Sequence, residues 1–201
     1  GDRIAIMGPN GVGKTTLLRI LIGDLVPHTG AITLAPKTHP LYLDQHRAVF
    51  NHHETVWEAL CSPGGDTIEV NGKPQHIVGY LRKFLFSESQ LRRRISSLSG
   101  GERSRLLLAK TFAARGNLFG LDEPTNDLDV ETLDLLQEIV SDYRGTVLFV
   151  SHDREFVENI ATSILAIDER GFVTEYIGGY SDYLRLRPPL QETAARKVKA
   201  R

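Results

Sequence analysis

Gly8-Pro9-Asn10-Gly11-Val12-Gly13-Lys14-Thr15 has the spacing G-x-x-x-x-G-K-T, the pattern of a loop that cradles phosphate. The chemistry this predicts is the gripping of a nucleotide's phosphates. Successive backbone N–H groups and a helix N-terminus supply partial positive charge, Lys14 reaches the β and γ oxygens, and the Thr15 hydroxyl ligates Mg²⁺. A glycine-rich turn that merely ends a strand is the plainer alternative. The flanks favour the loop: Arg3 to Met7 reads as a short buried strand, and Thr15 to Ile22 carries apolar residues at helical spacing.

A phosphate cradle becomes an enzyme site when acids stand beside it. Asp122-Glu123 follows the apolar run Asn117 to Leu121, which aims both carboxylates at the C-terminal edge of a parallel sheet, where α/β proteins bind ligands. In that arrangement Asp122 holds Mg²⁺ through water and Glu123 polarises an attacking water as general base. By itself the pair is also a common helix start. Gly120 reads as a flaw in the strand, costing packing.

Leu98-Ser99-Gly100-Gly101-Glu102 opens a long amphipathic stretch, and Ser99 with Glu102 makes an S-x-x-E capping box. Two readings stand for it. It is a structural cap, or its paired glycines leave a helix N-terminus bare for an external phosphate.

Short strands are expected at Ala31 to Leu34 and Leu41 to Leu43, a helical turn at Val56 to Leu60, and a hairpin at Thr67 to Val70 with Asn71-Gly72. Helices are expected near Ile77 to Phe86, Gly100 to Ala114 and Glu131 to Ser141. In the second of these, Leu106, Leu107, Leu108 and Phe112 face inward and Arg103, Arg105 and Lys110 form a solvated face. Leu118 to Leu121 and Thr146 to Val150 read as strands covered on both faces. Ile164 to Ile167 and Val173 to Tyr176 close the fold as a hairpin. From Arg185 the chain turns basic and proline-interrupted, through Arg187, Pro188, Pro189, Arg196, Lys197, Lys199 and Arg201.

At 201 residues the chain suits one large domain with a tail. Its 24 Lys and Arg against 25 Asp and Glu make it no electrostatic magnet for nucleic acid as a whole. The single cysteine, Cys61, excludes an internal disulfide and fits a reducing, cytoplasmic setting. No apolar run reaches membrane-spanning length, so membrane insertion is not expected. The histidines, His52-His53 included, lack a spaced metal pattern, and no zinc is assigned. Because it opens on Gly1 with a strand almost at once, the chain is read as a piece of a longer one.

Taken in order, the phosphate loop, Gln45, Leu98 to Glu102, Asp122-Glu123 with Pro124 to Asp129, and Ser151-His152-Asp153 resemble an ABC-type ATPase domain. Glu123-Pro124-Thr125-Asn126, Ser151 to Phe156 and Gly178 to Tyr183 are similar to the ABC-F class. Val70 to Pro74, Gly79-Tyr80-Leu81, Phe84-Leu85-Phe86 and Asp127 are similar to the second ATPase domain of Uup proteins. The resemblance covers about residues 1 to 185. It implies an α/β P-loop NTPase fold: a mostly parallel sheet core, an antiparallel β portion whose N-terminal strands are missing, and a helical subdomain at about residues 46–115 carrying the signature motif. Residues 186–201 would be a basic linker toward a missing C-terminal segment.

The family pattern places Asn10, Gly11, Gly13, Lys14, Thr15 and Thr16 on ATP and makes Thr15, Gln45 and Asp122 the Mg²⁺ residues. Glu123, His152 and Gln45 become the catalytic set. Alone, Gln45 reads as an ordinary polar loop residue and His152 as a cap or surface group. The pattern also places Ser99, Gly100 and Gly101 on the γ-phosphate held by a different ATPase domain, and Asp129 in the segment that communicates across that pair. It implies an adenine-stacking aromatic residue upstream of Gly1. The implied activity is Mg²⁺-dependent ATP hydrolysis in a two-domain sandwich, formed with a tandem domain or a second copy and acting on ribosomes or DNA intermediates. The basic tail fits the entrance to a DNA-binding segment, or a solubilising linker. The energy-coupling subunit of a membrane transporter would share every catalytic residue and stands as the alternative. A catalytically idle scaffold does not fit intact Glu123 and His152.

Overall fold

A computed structural model describes residues 1–44, 50–51, 53–61, 65–70, 72–126 and 128–187. The first strand, β1 (Arg3–Met7), runs into the glycine loop and helix α1 (Lys14–Leu21), and β2 (Pro40–Asp44) follows. A hairpin of β3 (Thr67–Val70) and β4 (Lys73–His76) then leads to α2 (Ile77–Lys83), two single 3₁₀ turns and α3 (Gly100–Ala113). The remaining elements are β5 (Leu118–Asp122), α4 (Val130–Asp142), β6 (Thr146–Val150), α5 (Arg154–Ile160), β7 (Ser163–Ile167), β8 (Val173–Ile177) and α6 (Tyr180–Leu186).

Among the described residues one six-stranded sheet has the order β2-β5-β6-β1-β7-β8, with β3 and β4 forming a separate two-stranded ladder. The β1, β2, β5, β6 and β7 pairings are parallel and β8 returns antiparallel along β7. Parallel strands need crossovers: α4 links the neighbours β5 and β6, and α5 carries the chain from β6 past β1 to β7. Both sheet faces are covered. Leu18 and Ile22 pack with Ile6, Leu148 and Val150 on one side. Leu106, Leu108, Ala109 and Phe112 of α3, with Leu135 and Leu136 of α4, share the other with Phe119, Val147 and Phe149. Strands buried on both faces read as continuous apolar runs, which is why β5 and β6 stood out in the sequence.

Several expectations are corrected. Ala31 to Leu34 forms no strand; its residues are exposed or half-buried, and alternation without a ladder partner does not hold an extended segment in a sheet. The helix expected to Phe86 stops at Lys83, because Leu85 turns left-handed at φ +63° and the Leu85 and Phe86 N–H groups fold back onto Arg82 and Leu81 carbonyls. That is a Schellman ending with leucine where glycine is usual. Arg105 does not join a solvated face. Its side chain is only 11% exposed, with Nη1 3.7 Å from both Asp129 and Glu131 and 3.3 Å from the Thr132 hydroxyl. These three oxygen-bearing groups sit at the start of α4, whose carboxylates draw the guanidinium inward. Nor is Gly120 a flaw: a Cβ there would lie 3.0 Å from Ile22 Cδ1 and 3.3 Å from Tyr42 Cδ2, so the bare position lets α1 and a neighbouring ring close onto the sheet.

The return strand of the hairpin, uncertain in sequence because of Pro74, forms with Pro74 opposite Glu69 in a ladder of only two strands. No helix among the described residues is long and apolar enough to cross a membrane.

Candidate functional site

The parallel register brings four strand ends to one row. Ile6 lies opposite Val150, Val150 opposite Asp122, and Asp122 opposite Asp44. At or just beyond that row three of these strands deliver the candidate groups: the glycine loop after β1, Asp122-Glu123 at the end of β5, and Ser151-His152 after β6.

Gly11 at φ +77° and Gly13 at φ +104° take left-handed conformations that side chains resist, and a Cβ on either would meet open space. The glycines are therefore required here by backbone conformation rather than by crowding. Gly13 caps α1, whose first-turn N–H groups have no intrahelical acceptor. Lys14 is buried and its Nζ donates to the Gly8 and Pro9 carbonyls at 3.1 Å each. The Thr15 hydroxyl donates to Asp122 Oδ1 at 3.1 Å, so the hydroxyl and carboxylate expected to share a cation do adjoin. A hydroxyl, a carboxylate and a phosphate cradle suit Mg²⁺, which takes few protein ligands and completes its shell with phosphate oxygens and water. Among the described residues no cluster of three or more His, Cys, Asp or Glu side chains could hold a metal ion by itself.

Glu123 is the non-glycine outlier of the site, at φ +48°. Such a conformation costs roughly 1–3 kcal/mol and is kept where surrounding contacts fix it. Here the Glu123 N–H donates to the Val150 carbonyl, and His152 holds both carboxylate oxygens, its backbone N–H and its Nε2 each at 3.3 Å. The Thr125 and Ser151 hydroxyls bond at 3.2 Å, pinning the turn after Glu123 to the end of β6. Asp153 then caps α5 through the Glu155 and Phe156 N–H groups. A carboxylate held this way, beside a phosphate cradle and short of full burial, can accept a proton from water. Gln45 and Asp127 lie outside the described residues.

The serine-glycine tip is elsewhere. Ser99 and Glu102 form the reciprocal capping box, and Glu102 is bound in turn by Gln90 Nε2 at 2.6 Å. A Cβ at Gly100 would meet nothing, while one at Gly101 would fall 2.4 Å from Asp129 Oδ2. Asp129 caps α4 through the Thr132 N–H at 2.8 Å. The tip of α3 and the start of α4 thus adjoin, on the sheet face opposite α1. The structure brings together Lys14, Thr15, Asp122, Glu123 and His152, and leaves Ser99, Gly100, Gly101 and Asp129 as a second group.

Both caps carry a pH signature. Glu102 is held below the ordinary carboxylate range first by the Ser99 backbone N–H, and Asp129 by the Thr132 hydroxyl and N–H. A depressed carboxyl stabilises the fold fully above its unfolded value, about 4.3 for Glu, and loses that contribution as pH falls through its lower folded value. Amide exchange should therefore show the first turns of α3 and α4 losing protection below about pH 4, and Glu102→Gln should remove the α3 part of the effect.

The family model described as ABC transporter matches residues 1–126. The chain belongs to the ABC family. This ABC domain is 48% identical over 188 residues, 94% of its length, to the ATP-binding protein Uup of Caulobacter vibrioides. It is 41% identical over 91% of its length to the energy-dependent translational throttle protein EttA of Haemophilus influenzae. Among solved structures it is similar, at TM-score 0.63 and 25% identity over 82% of the chain, to a chain in the complex of archaeal ribosomal stalk protein aP1 and ribosome recycling factor aABCE1. The ABC domain spans about a third of the length of each of these relatives. Its fold is that of an ABC ATPase, and the family is one that binds nucleotide.

Tyr42, whose hydroxyl reaches Asp122, belongs to no motif in the sequence, and neither α5 nor α6 is among the helices expected from it. For α5 a signal was present, Asp153 followed two residues later by Glu155 ahead of an apolar pair.

Proposed function

We propose that this domain is one half of an ABC-F-type ATP sandwich, working in the cytoplasm, that converts Mg²⁺-dependent ATP hydrolysis into movement on the ribosome. The observation that carries the reading is the separation of two phosphate-competent features. The Lys14 loop and its acids lie at one strand edge, and a bare glycine tip stands on the opposite sheet face. A single copy holds the triphosphate with the first, and the second caps the γ-phosphate of a partner domain. The ribosome is supported by the relatives' names, a translational throttle protein and a ribosome recycling factor. Those same names favour it over a transporter subunit.

In this reading Asn10, Gly11, Gly13, Lys14 and the Thr15 and Thr16 N–H groups cradle the phosphates. Thr15 and Asp122, with Gln45, hold Mg²⁺, which when bound neutralises charge on the β and γ oxygens. Glu123 orients a water and takes its proton as the water oxygen bonds to the γ-phosphorus and the bond to the bridging oxygen breaks. ADP and phosphate leave. His152 braces Glu123 and reaches the γ-phosphate. Residues 1–185 form the ATPase unit, and the basic stretch beyond is a linker whose contact with DNA would show as salt-sensitive binding lost on deleting Arg185 to Arg201.

A trans-complementation experiment tests the sandwich. Lys14→Ala disables the cradle, and Gly100→Glu places a carboxylate in open space at the tip, where it leaves the fold intact and repels a γ-phosphate. Each variant alone is expected to be inactive. Mixed, they regain ATP turnover, because the intact loop of one meets the intact tip of the other. Wild-type turnover by Gly100→Glu alone would refute the reading.

A further inference from the structure

Tyr42 stands on β2 directly opposite Gly120 of β5. Its ring packs with the α1-side cluster and lies across the space a side chain at position 120 would fill, 3.3 Å from that missing Cβ. Two residues along β5, on the same face of the pleat, is Asp122, and the Tyr42 hydroxyl donates to its Oδ2 at 3.0 Å. The Arg19 guanidinium of α1 sits 5.8 Å from the ring centroid and holds the ring from the helix side. Asp122 is thereby gripped at both oxygens, Oδ1 by Thr15 and Oδ2 by Tyr42.

A carboxylate's terminal torsion is broad and two-fold, so one donor on one oxygen leaves the group free to swing. Two donors on different elements fix it. We infer that Tyr42 is a positioning residue: its hydroxyl locks the Asp122 carboxylate so that Oδ1 stays beside Thr15, ready for the Mg²⁺ that accompanies the nucleotide. Gly120 belongs to the same device, because only a residue without a side chain opens the slot through which the ring reaches Asp122. The inference rests on the proposal that Thr15 and Asp122 hold the cation.

Outer-sphere partners of metal-holding carboxylates are worth at least about 10-fold in metal affinity. Tyr42→Phe removes only the hydroxyl. Mn²⁺, a paramagnetic stand-in for Mg²⁺, is titrated into the 201-residue chain with the non-hydrolysable analogue AMP-PNP and followed by electron paramagnetic resonance. Binding of the analogue alone, in EDTA, is measured by calorimetry, and the thermal unfolding midpoint of each variant is recorded. In Tyr42→Phe the Mn²⁺ midpoint is expected to rise by about 10-fold, with metal-free binding and thermal midpoint unchanged. Asp122→Asn serves as reference and shifts the Mn²⁺ midpoint further. If Asp122→Asn shifts it and Tyr42→Phe does not, the Tyr42 inference is wrong and the cation site stands. Where neither shifts it, the cation site itself is wrong and the inference falls with it. A Tyr42→Phe chain that loses metal-free binding or melts earlier, without a selective loss of Mn²⁺ affinity, shows a structural role and also overturns the inference.

Discussion

Replacing Glu123 by Gln is expected to slow ATP turnover at least about 10²-fold, the scale a positioned general base contributes, while leaving ATP affinity near the parent value. Gln matches the side chain's shape and still accepts a hydrogen bond, so the turn at φ +48° and the contacts with Val150 and His152 persist. What disappears is the negative charge that, in the proposed role, would draw a proton from water. Because the loop around Lys14 is untouched, nucleotide is expected still to bind and the proposed sandwich still to close. Steady-state phosphate release, paired with size-exclusion chromatography in ATP, should show an inactive variant that stays associated longer than the parent. Turnover at the parent rate would remove Glu123 from the chemistry. A strictly monomeric variant, even when the tandem domain is supplied, would remove the sandwich.

The largest stability effect is expected at Arg3, which is only 7% exposed. Its guanidinium donates to the carbonyls of Val140, Ser141, Tyr143, Gly145 and Gly1. Helix α4 has no basic residue in its own last turn. The start of β1 therefore supplies, from far away in sequence, the cation that the helix C-terminus needs. Arg3→Met removes the guanidinium donors from one buried and several part-buried carbonyls, each left unsatisfied costing about 1–3 kcal/mol. A net loss of about 3 kcal/mol lowers the melting temperature by roughly 6–12 °C for a domain of this size. Arg3→Lys keeps the charge but not the fork of donors, and should fall between the two. A melting temperature within about 2 °C of the parent in Arg3→Met would show that water takes over those carbonyls at no cost.

Local pattern and local chemistry were legible in the sequence; the pairing of distant side chains was not. The glycine loop, β5, β6 and the Ser99–Glu102 cap announce themselves within a few residues, since turn geometry, double burial and capping are short-range requirements. The end of α2 gives no such notice. Its left-handed residue is Leu85, and the reversal is held by Phe84 and Phe86 in the core rather than by a glycine. Arg105 looks like any outward helix charge until Asp129, Glu131 and Thr132 arrive from α4. Gly120 looks like a defect until Ile22 and Tyr42 arrive from two other elements. Tyr42 carries no pattern at all, because its meaning lies in the register between β2 and β5. Ala31 to Leu34 errs the other way, with strand-like alternation and no partner strand among the described residues.

The buried Lys14 ammonium hooked over its own loop's carbonyls has a thermodynamic consequence. Removing a cation from water is costly, and hydrogen bonds to the Gly8 and Pro9 oxygens offset that cost. On the proposed reading an incoming phosphate group would trade one set of oxygens for another on a tether that is already shaped, with little chain ordering on capture. The heat of association should be governed by this exchange of partners, with a small change in heat capacity, as suits a receptor preset for its guest.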